Sequence, residues 1–175
     1  MKIRNIISAL LIPAILIAGC TGCSNTEQGG NTDTKQEQTE GSSPAANVSA
    51  SDVVKAVLAE ISINSSVEKG KDDLENYYSS LDTATVEDAA FAMCGSGALP
   101  DEIAVIKCKT AEDAKKAETA LKAKLDKQKE LFGTYTPDEM YKLEGSVIFT
   151  KGNYAVFIAL SDNDKAKSIV EGKLS

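Results

Sequence analysis

The chain has 175 residues, of which 42% are hydrophobic, and this is enough for one globular domain with an additional terminal segment. Its formal net charge of −7 argues against a nucleic-acid-binding protein, because such proteins present a basic face to the phosphates. Histidine is absent, so the commonest general base and metal ligand is missing, and we expect no metal site and no cofactor.

The amino terminus has the features of a bacterial export signal. Lys2 and Arg4 give it a positive start, and an almost wholly apolar run follows over residues 6–17. This run is too short for a transmembrane helix, which needs about 20 apolar residues. We therefore predict that residues 1–19 are a signal peptide.

The apolar run ends in the tetrapeptide Ile17-Ala18-Gly19-Cys20. One aliphatic residue, two small residues and a cysteine resemble the lipobox of bacterial lipoprotein precursors. The resemblance implies cleavage between Gly19 and Cys20 and attachment of a diacylglycerol to the Cys20 thiol. An ordinary secretory signal with an incidental cysteine is the alternative. The lipobox interpretation predicts a lipid-anchored protein on the extracytoplasmic side of the cell membrane, where two acyl chains give stable attachment.

Residues 20–48 are predicted to form a disordered tether. The segment consists mainly of Ser, Thr, Asn, Gln, Gly and Glu, with almost no aliphatic side chains. Such a composition cannot bury enough apolar surface to offset the entropy lost on ordering. A flexible chain of this length has a root-mean-square reach on the order of 25–30 Å. We therefore expect a spacer between the membrane and the domain.

Residues 49–175 are expected to fold as one globular domain that begins with two helices. The first helix is predicted to start after Ser49, with Asp52 as its capping partner and an apolar stripe that follows. Gly70 interrupts the pattern. A second, short helix is predicted over residues 74–81 from the helical spacing of its apolar side chains.

Four β-strands are predicted from runs of β-branched, aromatic and other apolar residues. In chain order they cover Thr85–Cys94, Glu102–Lys109, Ser146–Thr150 and Tyr154–Leu160. A loop joins the first two strands, and Gly152-Asn153 suits a tight two-residue turn between the last two.

Three further helices are predicted in the second half of the chain. A long helix is expected from its cap Thr110 to a stop at Gly133, a short one from a cap at Thr136, and a final one from near Asp162. Because the strands come as sequential pairs, we predict an α+β fold. Its antiparallel sheet would have about four strands, with the helices packed on one face.

Several segments of the domain together resemble a known family. They are the strand at residues 102–107, the Lys- and Glu-rich helix, Tyr135-Thr136-Pro137-Asp138-Glu139 and Lys151-Gly152-Asn153-Tyr154. These segments are similar to small lipoproteins of Gram-positive bacteria catalogued as domain of unknown function 4358. The resemblance covers roughly residues 50–170. It implies an extracytoplasmic location and a lipid anchor, but no activity or catalytic residue.

Cys94 and Cys108 are the two cysteines of the globular domain. If the first two strands form a simple hairpin, the two cysteines lie near its opposite ends. At about 3.3 Å per residue their separation is roughly 20 Å, which is too far for a disulfide. We therefore predict two buried free thiols.

Two short motifs have structural explanations. Gly95-Ser96-Gly97 follows a strand, but a nucleophile elbow requires a different glycine spacing, a following helix and a histidine, so we predict a loop. Asp162-Asn163-Asp164 resembles half of a calcium loop, but lysine occupies the sixth and twelfth positions of that loop. We interpret these acids as helix-capping residues.

Tyr135, Asn153 and Tyr154 are the residues where we expect a recognition surface, because tyrosine is large and carries a hydroxyl group. The structural alternative is a hydrophobic staple from Tyr135 to Met140 and a tight turn at Gly152-Asn153. We assign no catalytic residue.

Two functions remain in contention at this point. The first is a non-catalytic binding or adaptor module of the cell envelope, with the membrane and an envelope protein as its partners. The second is a carboxylate-dependent cell-envelope hydrolase. The hydrolase requires two acids that face one cleft at roughly 5–10 Å separation, at least one of them with a perturbed pKa.

Overall fold

The computed structural model describes residues 47–175. The predicted signal peptide, the Gly19–Cys20 cleavage site and the tether as far as residue 46 lie outside the described residues. In chain order the elements are α1 (Ala50–Leu58), β1 (Ser66–Gly70), α2 (Leu74–Tyr77), β2 (Val86–Cys94), β3 (Glu102–Cys108), α3 (Ala111–Tyr135), α4 (Met140–Glu144), β4 (Val147–Lys151), β5 (Tyr154–Ala159) and α5 (Asn163–Lys173). None of these helices is long and apolar enough to span a membrane.

The five strands form one antiparallel sheet in the order β1-β2-β3-β5-β4. This confirms the predicted α+β class and the two predicted hairpins. The strand count was one too low, because β1 was not predicted. Its sequence, Ser-Val-Glu-Lys-Gly, contains one large apolar residue, and its side chains are exposed or half-buried at the edge of the sheet. An edge strand of this kind has no apolar alternation for a pattern to detect.

Helices cover both faces of the sheet, which corrects the prediction of one covered face. One face, with Ile103 and Val105 at its centre, packs under α1 and α5. The other face, with Ala104 and Ile106, packs under α3. β3 and β5 are buried along their whole apolar length. Strands without a polar face require cover on both sides, and this signal was available in the sequence.

The helix starts follow the predicted caps more closely than the helix ends do. The side chains of Ser49, Thr110 and Asp162 accept the expected backbone N–H bonds at the starts of α1, α3 and α5. The predicted stop at Gly133 is wrong, since α3 continues to Tyr135. The helix ends at Thr136 because a following proline disfavours helical backbone. Thr136 makes no capping hydrogen bond, in contrast to the prediction.

The β2–β3 hairpin separates the two thiols as predicted. The backbone N–H of Cys94 donates to Asp101 O at 3.2 Å, whereas Cys108 lies opposite Val86 at the far end of the hairpin. Both cysteines are buried and free. The β4–β5 turn is the predicted two-residue turn, and Gly152 supplies its left-handed backbone with φ +57°.

The described chain enters the domain at one end of the sheet. The Tyr154 hydroxyl donates to Val48 O at 2.6 Å and accepts from Val48 N at 3.1 Å. Lys107, the partner of Tyr154 across β3 and β5, donates to the Asn47 side chain. The chain is therefore held against the domain at Asn47 and Val48, the last two residues of the predicted tether. Glu102, the first residue of β3, lies at the opposite end of the sheet.

Candidate functional site

A groove lies at the end of the sheet opposite Val48, between the carboxyl half of α3 and the β2–β3 loop. Its main depression has a volume of about 420 Å³. A second depression of about 290 Å³ shares Leu131 and Phe132 with the first, and a small third one shares Tyr77 and Lys124 with the second. We call the three together the end groove.

One wall of the end groove is a single face of α3. The residues on this face recur every three or four positions, as one helix face requires: Ala120, Lys124, Lys127, Gln128, Leu131, Phe132 and Tyr135. Phe132 is buried, but Leu131 is 50% exposed and Tyr135 is 74% exposed. Large apolar side chains that stay in water beside a concave surface are typical of a site that receives a ligand.

The opposite wall is the loop between β2 and β3, and it is held in place by its backbone. Gly95 N donates to Ser65 O at 2.9 Å, and Gly97 N donates to Cys94 O at 3.0 Å. A Cβ at Gly95 would lie 2.9 Å from the backbone carbonyl oxygen of Ser65 and 2.7 Å from Val67 Cγ1, so only glycine fits there. Gly97 has φ +68°, which side chains disfavour. The loop therefore presents a fixed surface to α3.

A buried carboxylate, Glu102, lies beneath the groove. It is 2% exposed and accepts hydrogen bonds from the Tyr78 hydroxyl, the Lys124 ammonium and, at 2.7 Å, Gln128 Nε2. Burial raises the pKa of Tyr78 well above its usual value, and the charge of Glu102 raises it further. Tyr78 therefore stays protonated and serves as a donor to the carboxylate.

A second buried ion pair fixes α4 to the groove. Lys142 Nζ lies 2.7 Å from Asp101 Oδ2 and 2.6 Å from Glu139 Oε2. Burial lowers the pKa of Lys142, but the hydrogen bonds and charges of the two acids outweigh this effect, and the net pKa is raised. Lys142 is therefore a permanent cation at neutral pH.

The two acids that line the end groove, Asp101 and Glu102, are thus both engaged by lysines. Neither is placed as a free acid or base for a hydrolytic reaction. Within residues 47–175 the structure also contains no cluster of three or more Cys, Asp or Glu side chains able to hold a metal ion.

The structure does not bring the three predicted recognition residues together. Tyr135 lines the end groove and is too exposed to form the alternative staple with Met140. Tyr154 is fully buried, which corrects its assignment to a surface. Asn153 lies at the other end of the sheet, where its side chain donates to Cys108 O at 2.7 Å. Tyr154 was misassigned because its inward register depends on how β5 pairs, which a turn motif does not show.

Leu131 and Phe132 were not predicted as site residues. The sequence could have indicated them through their position relative to the buried stripe of α3, which includes Leu121 and Phe132. Leu131 lies outside that stripe, on the same side of the helix as Tyr135. Two large apolar residues that recur four positions apart beside a buried stripe therefore indicate a second, partly exposed apolar face.

Cys94 and Cys108 are expected to differ in reactivity. Burial raises the pKa of the Cys94 thiol, but hydrogen bonds from the Ser96 hydroxyl and from loop N–H groups outweigh this, and its pKa is lowered. Burial raises the pKa of Cys108 to about 11, and Asp113 and Glu87 add to this. Because the thiolate is the nucleophile, Cys94 should react first with iodoacetamide at pH 8.

Peptide mass spectrometry of the native protein at successive times would measure both rates. Full modification of both cysteines after denaturation serves as the control. Equal rates in the native protein would show that the loop hydrogen bonds do not stabilise the Cys94 thiolate.

A family model described as a domain of unknown function (DUF4358) matches residues 59–160, which is more than half of the chain. The matched segment contains all five strands and the residues that line the end groove. No curated protein and no solved structure matches the chain.

Proposed function

Because the chain belongs to the DUF4358 family, which brings no activity with it, we propose that this protein is a lipid-anchored, non-catalytic binding module on the extracytoplasmic side of the membrane. In this proposal Cys20 carries the lipid, residues 20–46 form the spacer and the end groove takes the ligand.

The observation that carries the binding role is the exposure of Leu131 and Tyr135 inside a concave site. Leaving large apolar surface in water is unfavourable, and a ligand that covers these side chains would gain roughly 25 cal/mol for each Å² of apolar surface that it buries. The rigid β2–β3 loop favours the same role, because a preformed wall reduces the entropy lost on binding.

The amino-terminal motif supports the anchor. A positive start, a short apolar run and the Ile17–Cys20 lipobox occur in the order that lipoprotein export requires. The chain enters the described domain at Val48, at the end of the sheet opposite the groove. The described chain therefore begins on the side of the domain away from the proposed ligand site.

A carboxylate-dependent hydrolase gains no comparable support. Its two acids should face one cleft and remain free to exchange protons. Asp101 and Glu102 line the groove, but each is held by a lysine ammonium. We therefore favour the binding module.

Metabolic labelling with an alkyne fatty acid tests the anchor. In cells that express the wild-type chain, we expect label on the protein and a cleaved amino terminus at Cys20. The Cys20→Ala chain should carry no label and should leave the membrane fraction. Equal labelling of both chains would overturn the proposed anchor.

A photo-cross-linking amino acid at position 135 tests the binding role in intact cells. Position 141 provides a matched control, because Tyr141 is also an exposed tyrosine (53%) but does not line the end groove. We expect adducts from position 135 and few from position 141. If neither position gives an adduct, or both give the same ones, the groove is not the binding site.

A further inference from the structure

The end groove is polarised along α3. Leu131, Phe132 and Tyr135 form its apolar end, with Ala98 on the facing loop. Lys124 and Lys127 lie one to two helical turns earlier, where Ser79 and Ser80 form the facing wall. At 1.5 Å per residue, the distance along α3 from Ala120 to Tyr135 is about 22 Å. The groove is therefore elongated along α3, with one apolar end and one cationic end.

The cationic end is unusual in an acidic chain. The sequence contains 26 acidic and 19 basic residues, yet no acid occupies the groove-facing positions of α3 between Ala120 and Tyr135. Lys127 makes no ion pair with any residue that the structure describes. Lys124 Nζ lies 3.8 Å from the centre of the Tyr78 ring and pairs with Glu102.

The acids of the groove do not cancel this positive charge. Asp101 and Glu102 are both buried, and each is compensated by a lysine. The exposed charge in the groove is therefore that of Lys127. An anionic group placed between Lys127 and the Ser79 and Ser80 hydroxyls would meet a cation and hydrogen-bond donors.

The size of the groove favours a small ligand over a folded protein. A volume of about 420 Å³ falls within the range of small-molecule sites, roughly 300–1,000 Å³. A stable protein interface buries about 800 Å² on each partner. Leu131, Tyr135 and Tyr77 are the large exposed apolar side chains of the groove, and three residues do not make an interface of that size.

We propose that the end groove binds an anionic amphiphile, a small molecule with one extended apolar chain and one anionic head group. The chain lies over Leu131, Phe132 and Tyr135, and the head group lies at Lys127. This assignment rests on the proposed binding function and adds the chemical class of the ligand.

Titration calorimetry of the purified Cys20→Ala chain tests the assignment, because this form carries no lipid of its own that could occupy the groove. The probes are decanoate, decyltrimethylammonium, which has the same chain length and the opposite charge, and hexanoate. We expect decanoate to bind about 10-fold more tightly than the cationic probe. Hexanoate, which lacks four CH₂ groups, should bind on the order of 100-fold more weakly than decanoate.

Two single replacements locate the ligand in the groove. Lys127→Ala should weaken decanoate binding about 5- to 10-fold and leave decyltrimethylammonium binding unchanged or slightly tighter. Leu131→Ser should weaken both probes. Lys129→Ala is the matched control, because Lys129 lies on α3 but does not line the groove, and it should have no effect. Far-ultraviolet circular dichroism would check that each variant is folded.

The outcomes separate this inference from the proposed function. Equal binding of the two charged probes, with no effect of Lys127→Ala, would overturn the anionic head group. Failure of every amphiphile to bind, together with protein adducts from position 135 in cells, would overturn the amphiphile and retain the binding module. Failure of both experiments would overturn the binding module as well.

Discussion

Replacing Lys142 with methionine is expected to lower the free energy of unfolding by about 3–5 kcal/mol at neutral pH. Lys142 is buried, and its ammonium group pairs with both Asp101 and Glu139. Methionine replaces the apolar stem of the lysine side chain but leaves both carboxylates without their cation. Urea unfolding followed by circular dichroism would measure the loss.

Lys116→Met provides the control for this prediction. Lys116 also contacts two acids, Glu112 and Asp113, but its side chain is 66% exposed. Water and salt screen exposed ion pairs, so this variant should unfold nearly as the wild type does. If the two variants lose similar stability, the contribution of the Lys142 ion pair to the free energy of unfolding does not depend on burial.

The ion pairs of Lys142 also predict the direction in which the stability changes with pH. The pKa of Lys142 is raised above its ordinary value of 10.5, so the folded state holds this proton more tightly than the unfolded state. Its contribution is therefore complete below pH 10.5 and is lost as the pH rises through the folded-state pKa. The difference in stability between wild type and Lys142→Met should accordingly shrink in strongly alkaline solution.

Replacing Phe91 with alanine is expected to cost about 3–5 kcal/mol of stability. Phe91 is fully buried in β2. Its ring packs edge-to-face on Tyr78, with 5.0 Å between centroids, and lies 5.4 Å from Tyr77. Alanine would leave a cavity beneath α2 and remove both aromatic contacts. Urea unfolding would measure this loss too.

The Phe91→Ala replacement should also change the shape of the end groove. Tyr77 and Tyr78 pack on Phe91, and both line the groove. Leu131→Ala is the control, since that side chain is half-exposed and its removal should change stability by roughly 0.5 kcal/mol or less. A loss below about 1 kcal/mol in Phe91→Ala would mean that α2 collapses onto β2 and fills the cavity.

Most of the secondary structure could be predicted because its signals are local. Ser49 and Thr110 identify helix starts through bonds to residues three positions away, and Gly152 identifies a turn by its backbone freedom. The end of α3 was misplaced because Gly133 is compatible with a helix, whereas the proline after Thr136 is the stronger break. β1 has no local signal, since its pairing with β2 defines it.

The site was harder to predict because its key contacts join distant residues. Glu102 is the first residue of a strand, and its sequence context predicts a solvent-exposed side chain. In the structure it contacts Lys124, 22 positions later, and Tyr78, 24 positions earlier. Asp101 and Lys142 are 41 positions apart. The residue type alone suggested Tyr135 as a recognition residue, but the partners around it are set by how α3 crosses the sheet.

The position of Val48 has a mechanical consequence. The chain enters beside Tyr154 and Lys107 at one end of β3 and β5, and the end groove lies beyond Glu102 at the other. A pull between Val48 and the groove therefore runs along the strands. Force in this direction is parallel to β3 and β5 and perpendicular to the hydrogen bonds that join them. It therefore does not unzip this strand pair one hydrogen bond after another.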